Sequence, residues 1–167
     1  MKVALDTNCL LDAANVDSHA YGELQKLIAS AEKGTHTLII SRHSLSELTA
    51  DNQITRRARE IGGTMNILPH YPIGAWKEQI CTWEQTTGTW QTAKRTQAIQ
   101  EELSSLAKSG NDIRDRGAYI DALLDGADIF VTSDRHLVGS GPAARIEQRF
   151  GLRVLSPFAI SCELGLC

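Results

Sequence analysis

The sequence predicts an α/β fold in which helices cover both faces of a central parallel sheet, giving a three-layer α/β/α sandwich. Short apolar, β-branched runs alternate with helical patterns along the chain, and such alternation is typical of parallel sheets. Several of these runs end directly at an acid or a hydroxyl residue. With 167 residues, 42% of them hydrophobic, the chain has the size of one compact domain. We therefore expect a single domain over residues 1–167.

The expected elements follow from the spacing of apolar residues. Apolar residues three and four apart predict helices, and short continuous apolar runs predict buried strands. In chain order we expect a strand at 2–5, a helix at 21–31 before Gly34, a strand at 38–41, a helix capped by Ser44 that holds Glu47, a helix at 54–65, a short strand at 66–68, a helix that carries Asp112 and Asp115 and stops at Gly126, a strand at 129–132, a helix at 142–150, a strand at 152–155 and a helix at 157–164.

The segment from about 69 to 110 interrupts this alternation. Prolines open it, and we expect a helical insertion of two helices between Trp76 and Lys108. Trp76, Trp83 and Trp90 recur there at heptad spacing. Such a stripe could stack on RNA bases or pack against a partner helix, but it is more often core or dimer interface.

Composition narrows the class of protein. The net charge of −3 is weak evidence either way on nucleic-acid binding, because a cluster of functional carboxylates would itself lower the value. We see no apolar stretch long enough for a signal peptide or a membrane span, so we expect a soluble cytoplasmic protein with no membrane partner. The four cysteines show no zinc-ligand spacing, and we expect buried or inert thiols.

Four acids are expected at one edge of the sheet. Asp6 and Asp134 follow predicted strands directly, Glu47 lies within two helical turns of another strand end, and Asp115 lies near the start of its helix. Open α/β sheets place ligands and catalytic groups outside the carboxyl ends of their strands. These four side chains are therefore the candidate functional residues.

Converging carboxylates repel one another, so such a cluster is reasonable chiefly where a cation compensates the charge. Hard carboxylate oxygens suit Mg²⁺ or Mn²⁺, and Mg²⁺ often shares its ligands with substrate phosphate. A metal held in this way can activate a water molecule for attack on a phosphodiester. The sequence therefore predicts a metal-dependent site for phosphodiester hydrolysis.

Three stretches in this order resemble the PIN-domain family. They are LDTN at 5–8, SEL at 46–48 and DRGAYIDALLDGADIFVTSD at 115–134. The resemblance spans essentially the whole chain. PIN domains are metal-dependent ribonucleases and include toxins of toxin–antitoxin pairs, among them VapC-type toxins.

The resemblance implies roles for individual residues. Asp6, Glu47, Asp115 and Asp134 match the acids that bind metal and carry catalysis, and Asp112 matches an additional acid found in part of the family. Supporting positions are occupied by Asn8, Thr132 and Ser133. The resemblance also implies an RNA substrate, an antitoxin or other protein partner, and a homodimer as one state of the chain.

Other polar residues have a weaker claim to function. Arg56, Arg57 and Arg135 could contact phosphates, although a solvated helical face explains the first two about as well. We interpret Asp121, Asp125 and Asp128 as solvated helix and turn acids. His43 and His136 lie beside the acids, and we expect them at the surface or behind the ligands.

Three alternatives stay open. A nuclease acting on DNA would use the same chemistry, because nothing in the sequence senses a 2′-hydroxyl. The chain could instead be a PIN-fold binding or assembly module without catalysis. A phosphatase of the haloacid dehalogenase type also begins with an acid after its first strand, but it needs a second Asp where this chain has Asn8.

Overall fold

The computed structural model describes residues 1–68, 98–99, 112–139 and 141–167, without the side chains of residues 112–116, 142 and 146. The helical insertion predicted for 69–110, with its three tryptophans, lies outside the described residues. The described elements are β1 Lys2–Leu5, α1 Thr7–Ala14, α2 Tyr21–Glu32, β2 Thr37–Ile40, α3 Arg42–Glu47, α4 Gln53–Gly63, β3 Asn66–Ile67, α5 Asp112–Leu124, β4 Ile129–Val131, α6 Gly141–Phe150, β5 Arg153–Leu155 and α7 Pro157–Glu163.

The five strands form one parallel sheet in the order β3-β2-β1-β4-β5. β1 lies at the centre, where Leu5 pairs with Ile40 on one side and with Val131 on the other. All carboxyl ends therefore meet at one edge. This confirms the predicted class, a central parallel sheet flanked by helices.

Alternate strand residues supply two separate cores, one on each face of the sheet. Val3, Leu5 and Val131 face a core shared with α1 and α2, whereas Ala4 and Phe130 face a core shared with α5. This follows from the two-residue period of a strand, which sends neighbouring side chains to opposite faces. The sheet is thus buried on both sides, as its continuous apolar strands require.

The core between the sheet and α5 includes an aromatic pair. The rings of Tyr119 and Phe130 meet edge to face with their centroids 5.2 Å apart. Burial raises the pKa of the Tyr119 hydroxyl, so Tyr119 stays neutral in the fold. The apolar side chains of α5 from Ala118 to Leu123 therefore belong to the core.

One helix was not predicted, and one predicted helix start needs correction. The unpredicted helix is α1, which begins at Thr7. Asp6 is its N-cap, because Asp6 Oδ1 accepts from Thr7 N at 2.8 Å. Ser41, not Ser44, caps α3, since its Oγ accepts from His43 N at 3.0 Å. Ser44 lies buried within that helix.

Asp121, Asp125 and Asp128 were predicted to be solvated, and for Asp121 this prediction is wrong. Asp121 is fully buried on α5, and its Oδ2 accepts a hydrogen bond from Ser41 Oγ at 2.5 Å. The other two lie in the turn before β4 and hold the start of β1: Asp128 Oδ2 accepts from Lys2 N at 2.7 Å, and Asp125 forms an ion pair with Lys2 at 3.2 Å.

An ion pair and a disulfide stabilise the C-terminal segment. Arg153 on β5 donates to both carboxylate oxygens of Glu163 at 2.6 Å, and these bonds hold the pKa of Glu163 below its ordinary value. Cys162 and Cys167 form a disulfide, which corrects the expectation of free thiols for this pair. Cys9 is a free, buried thiol as expected, and Cys81 lies outside the described residues.

In the part of the chain that the structure describes, no helix combines the length and the apolar character needed to cross a lipid bilayer.

Candidate metal centre at the carboxyl edge of the sheet

The order of the strands creates a crevice beside β1. The chain runs from β1 outward through β2 to β3, then crosses back so that β4 pairs with the other side of β1. Such a reversal is a topological switch point, and ligands of open α/β sheets bind outside the carboxyl ends of the strands there. The residues after Leu5 and Val131 are neighbours at this edge of the sheet.

Asp6 lies at the end of β1 and is held from two sides. Its Oδ1 accepts from Thr7 N at 2.8 Å, and its Oδ2 accepts from Thr132 Oγ1 at 2.7 Å. Its backbone N donates to Val131 O at 3.0 Å, which extends the pairing of β1 with β4 by one bond. The carboxylate is half-buried. The position of Asp6 is therefore fixed by the first residue of α1 and by the residues at the end of β4.

Thr132 joins the two acids that follow β1 and β4. Its buried hydroxyl donates to Asp6 and accepts from Asp134 N at 3.0 Å. Asp134 is half-buried, and its Oδ1 accepts from His136 N at 2.8 Å, which shapes the turn after the strand. One threonine side chain thus ties Asp6 to the backbone of Asp134.

Glu47 reaches the same corner from the other side of β1. It is the last residue of α3, and its Oε2 accepts a short hydrogen bond from Thr7 Oγ1. An acid near the start of a helix is stabilised by the positive end of the helix dipole. Glu47 lies at the other end of its helix, so the dipole does not explain its position. Glu47 remains exposed, so its carboxylate is linked to the start of α1 yet open to solvent.

A second carboxylate on α1, which the sequence analysis missed, lies behind these residues. Asp12 Oδ2 accepts from Ser133 Oγ at 2.6 Å, and its Oδ1 accepts from Ser18 Oγ at 2.7 Å. Cys9 and Asp12 are three residues apart, so a helix over this segment would place both on one face. The sequence therefore indicates the position of Asp12 only if the segment is known to be a helix.

The thiol of Cys9 fills the space between α1 and β4. Cys9 Sγ donates to Val131 O at 3.3 Å and lies 3.9 Å from Ser133 Oγ. Burial raises the pKa of this thiol strongly, and the negative charges of Asp6 and Asp12 raise it further. The buried thiol is therefore held in its protonated form, in which it donates to Val131 O.

Comparison with known proteins shows a likeness of fold. No protein-family model matches the chain, and no curated protein matches it. A chain in the crystal structure of VapBC2 from Rickettsia felis bound to a DNA fragment from their promoter superposes with a TM-score of 0.55 at 16% sequence identity. The match covers 93% of this chain and 98% of that chain. The two chains share a fold over nearly their whole lengths.

The structure places the other predicted site residues as follows. Asp112 and Asp115 lie in the first two turns of α5, with side chains outside the described set. Asn8 is exposed in the first turn of α1, and Arg135 is exposed directly after Asp134.

The arginines of α4 and the two histidines are also described. Arg56 is exposed and pairs with Asp51 at 2.8 Å, and Arg57 is exposed on the same helix. His136 is exposed as expected, but His43 is buried.

The described part of the site supplies oxygen donors. Asp6, Glu47 and Asp134 offer carboxylates, and these are ligands that Mg²⁺ and Mn²⁺ prefer. Among the described side chains alone, no three His, Cys, Asp or Glu residues form a complete metal-binding group. The donors present fit a hard divalent cation in kind, and the set as predicted also needs acids from the start of α5.

Proposed function

We propose that the chain is a PIN-domain endoribonuclease that depends on Mg²⁺ or Mn²⁺. The observation that carries the proposal is the link through Thr132, whose hydroxyl joins the Asp6 carboxylate to the backbone of Asp134 at the switch point of the sheet. A half-buried pair of acids in that crevice has a ready explanation as a cation site. The choice of RNA over DNA rests on the resemblance to PIN domains.

Each residue has a distinct part in the proposed chemistry. Asp6 and Asp134 would hold the cation, with Glu47 and Asp115 completing the set and Asp112 as an additional acid. A bound cation would supply an activated water and stabilise charge on the leaving oxygen. Thr132 and Thr7 keep the carboxylates in place through their hydroxyls. Arg135 is exposed beside Asp134 and would contact a phosphate of the substrate.

We further propose that the chain is the toxin of a toxin–antitoxin pair, with an antitoxin as its protein partner. The shared fold with a chain of the VapBC2 complex from Rickettsia felis supports this, together with the resemblance to VapC-type toxins. Growth arrest when the chain is expressed alone, and relief by the product of a neighbouring gene, are the expected results. Normal growth on expression of an active nuclease would contradict the toxin role.

The nuclease itself is tested by cleavage of labelled single-stranded RNA and matched DNA with Mn²⁺ or with EDTA. We expect Mn²⁺-dependent cutting of RNA alone. Asp6→Asn should lower the rate at least roughly 100-fold, because even residues that only orient metal ligands cost about 10- to 100-fold. Asp17→Asn, which changes an exposed acid in the loop after α1, is the matched control and should cut normally.

The fold of the Asp6→Asn variant should survive. Asparagine caps helices about as well as aspartate, and an amide oxygen can still accept from Thr7 N or Thr132 Oγ1. Its melting temperature without metal should therefore stay close to that of the wild type. Full activity in a folded Asp6→Asn protein would contradict the proposal. Cutting of DNA in place of RNA would retain the metal site and change the substrate.

A further inference from the structure

Three consecutive residues at the end of β4 are fastened to helix α1. Val131 O accepts from Cys9 Sγ at 3.3 Å, Thr132 Oγ1 donates to Asp6 Oδ2 at 2.7 Å, and Ser133 Oγ donates to Asp12 Oδ2 at 2.6 Å. The next residue in the chain is Asp134. The backbone that leads into Asp134 is therefore tied to α1 by these three contacts and to β5 by a fourth, because Thr132 N donates to Leu155 O at 3.1 Å.

The two hydroxyl contacts have different partners on that helix. Asp6 is the N-cap of α1 and belongs to the proposed metal site, whereas Asp12 lies two residues before the end of the same helix. Asp12 is half-buried, and its second oxygen accepts from Ser18 Oγ at 2.7 Å. A carboxylate that accepts a hydrogen bond at each oxygen is held in one orientation.

We propose that Asp12 is a positioning residue that holds Ser133, and through it Asp134, against helix α1. The inference rests on the proposed function, because it assigns Asp12 to the correct placement of a metal-binding acid. Asp12 would act without touching the metal or the substrate. Its effect would pass through one contact, the hydrogen bond from Ser133.

Four variants separate this role from a structural one. Asp12→Ala and Ser133→Ala remove the contact from opposite sides. Asp12→Asn introduces an amide whose oxygen can still accept from Ser133 and whose nitrogen can donate to Ser18. Ser18→Ala removes the other partner of Asp12 and leaves the contact with Ser133 in place, so it is the matched control.

Cleavage of single-stranded RNA with Mn²⁺ is measured for each variant, with kcat and KM determined separately. We expect Asp12→Ala and Ser133→Ala to lower kcat roughly 10- to 100-fold, the range typical of residues that orient metal ligands, with KM nearly unchanged. The double variant should lose no more than either single variant. Asp12→Asn should retain most of kcat, and Ser18→Ala should match the wild type.

The possible results are distinguishable. Equal kcat values for Asp12→Ala, Ser133→Ala and the wild type would overturn the inference and leave the proposed function intact. A loss in Asp12→Asn as deep as in Asp12→Ala would also overturn it, because it would make the charge of Asp12, and not its hydrogen bond, the important property. A folded wild type that neither cleaves RNA nor binds Mn²⁺ would overturn the proposed function and this inference together.

Discussion

Ser41 makes two hydrogen bonds with different consequences for stability. Its Oγ accepts from His43 N at 3.0 Å, which caps α3, and it donates to the buried Asp121 carboxylate at 2.5 Å. Removal of a helix cap costs about 1 kcal/mol. Removal of a donor from a buried acceptor costs a further 1–3 kcal/mol or so. Ser41 therefore stabilises both its own helix and α5.

We expect Ser41→Ala to lower the free energy of unfolding by about 2–4 kcal/mol, the sum of these two effects. Ser156→Ala is the matched comparison, because Ser156 caps α7 through Ala159 N at 3.2 Å. That change should cost only about 1 kcal/mol. Urea unfolding of the two variants measures the difference. Equal losses would show that the bond to Asp121 adds nothing.

Some single residues could not be placed from the sequence because their partners lie far along the chain. Ser41 and Ser44 both precede the apolar part of α3, and local spacing could not choose between them. The bond between Ser41 and Asp121, 80 residues apart, joins two elements. The same holds for Asp12, whose partner Ser133 lies 121 residues away. A pattern along the chain contains no such partner.

At the scale of elements, α3 and α5 are packed closely where Gly117 meets His43. A Cβ added to Gly117 would lie 2.8 Å from two ring carbons of His43, closer than atoms can pack. The His43 side chain is itself buried. This close approach places the helix that ends at Glu47 beside the helix that begins at Asp112.

We expect Gly117→Ala to destabilise the protein by about 1–3 kcal/mol, because the added methyl group overpacks this contact. Gly22→Ala, in α2, adds the same group where no atom lies within 4 Å, and it should be neutral or stabilise by up to about 1 kcal/mol. Thermal unfolding compares the two. A Gly117→Ala protein as stable as Gly22→Ala would contradict the packing described.

Most elements could be predicted because their signals are local. β1 was predicted at its observed limits of Lys2–Leu5, and α2, β2 and α7 to within a residue or two, since each is an apolar run or stripe bounded by Gly, Pro or polar residues. Helix α1 was not predicted. It is only two turns long, and the capping residues Asp6, Thr7 and Asn8 at its start are equally typical of a turn.

At the scale of the whole molecule, the parallel sheet turns distant sequence positions into neighbours. Asp6, Glu47 and Asp134 follow β1, β2 and β4, and parallel pairing brings these strand ends to one edge. This arrangement could be predicted from the sequence, since an acid after a buried strand has only one place to go in such a fold. The threonine hydroxyls that link the acids could not, because they depend on side-chain geometry.

In the proposed function, Asp6 and Asp134 belong to one cation site at the switch point. Calorimetric titration of the purified protein with Mn²⁺ tests it most directly, using the wild type, Asp6→Asn, Asp134→Asn and the control Asp17→Asn. We predict that the wild type and the control bind Mn²⁺ alike and that each of the other two variants binds at least roughly 10-fold more weakly. Equal binding by all four proteins, or no binding by the folded wild type, would contradict the account.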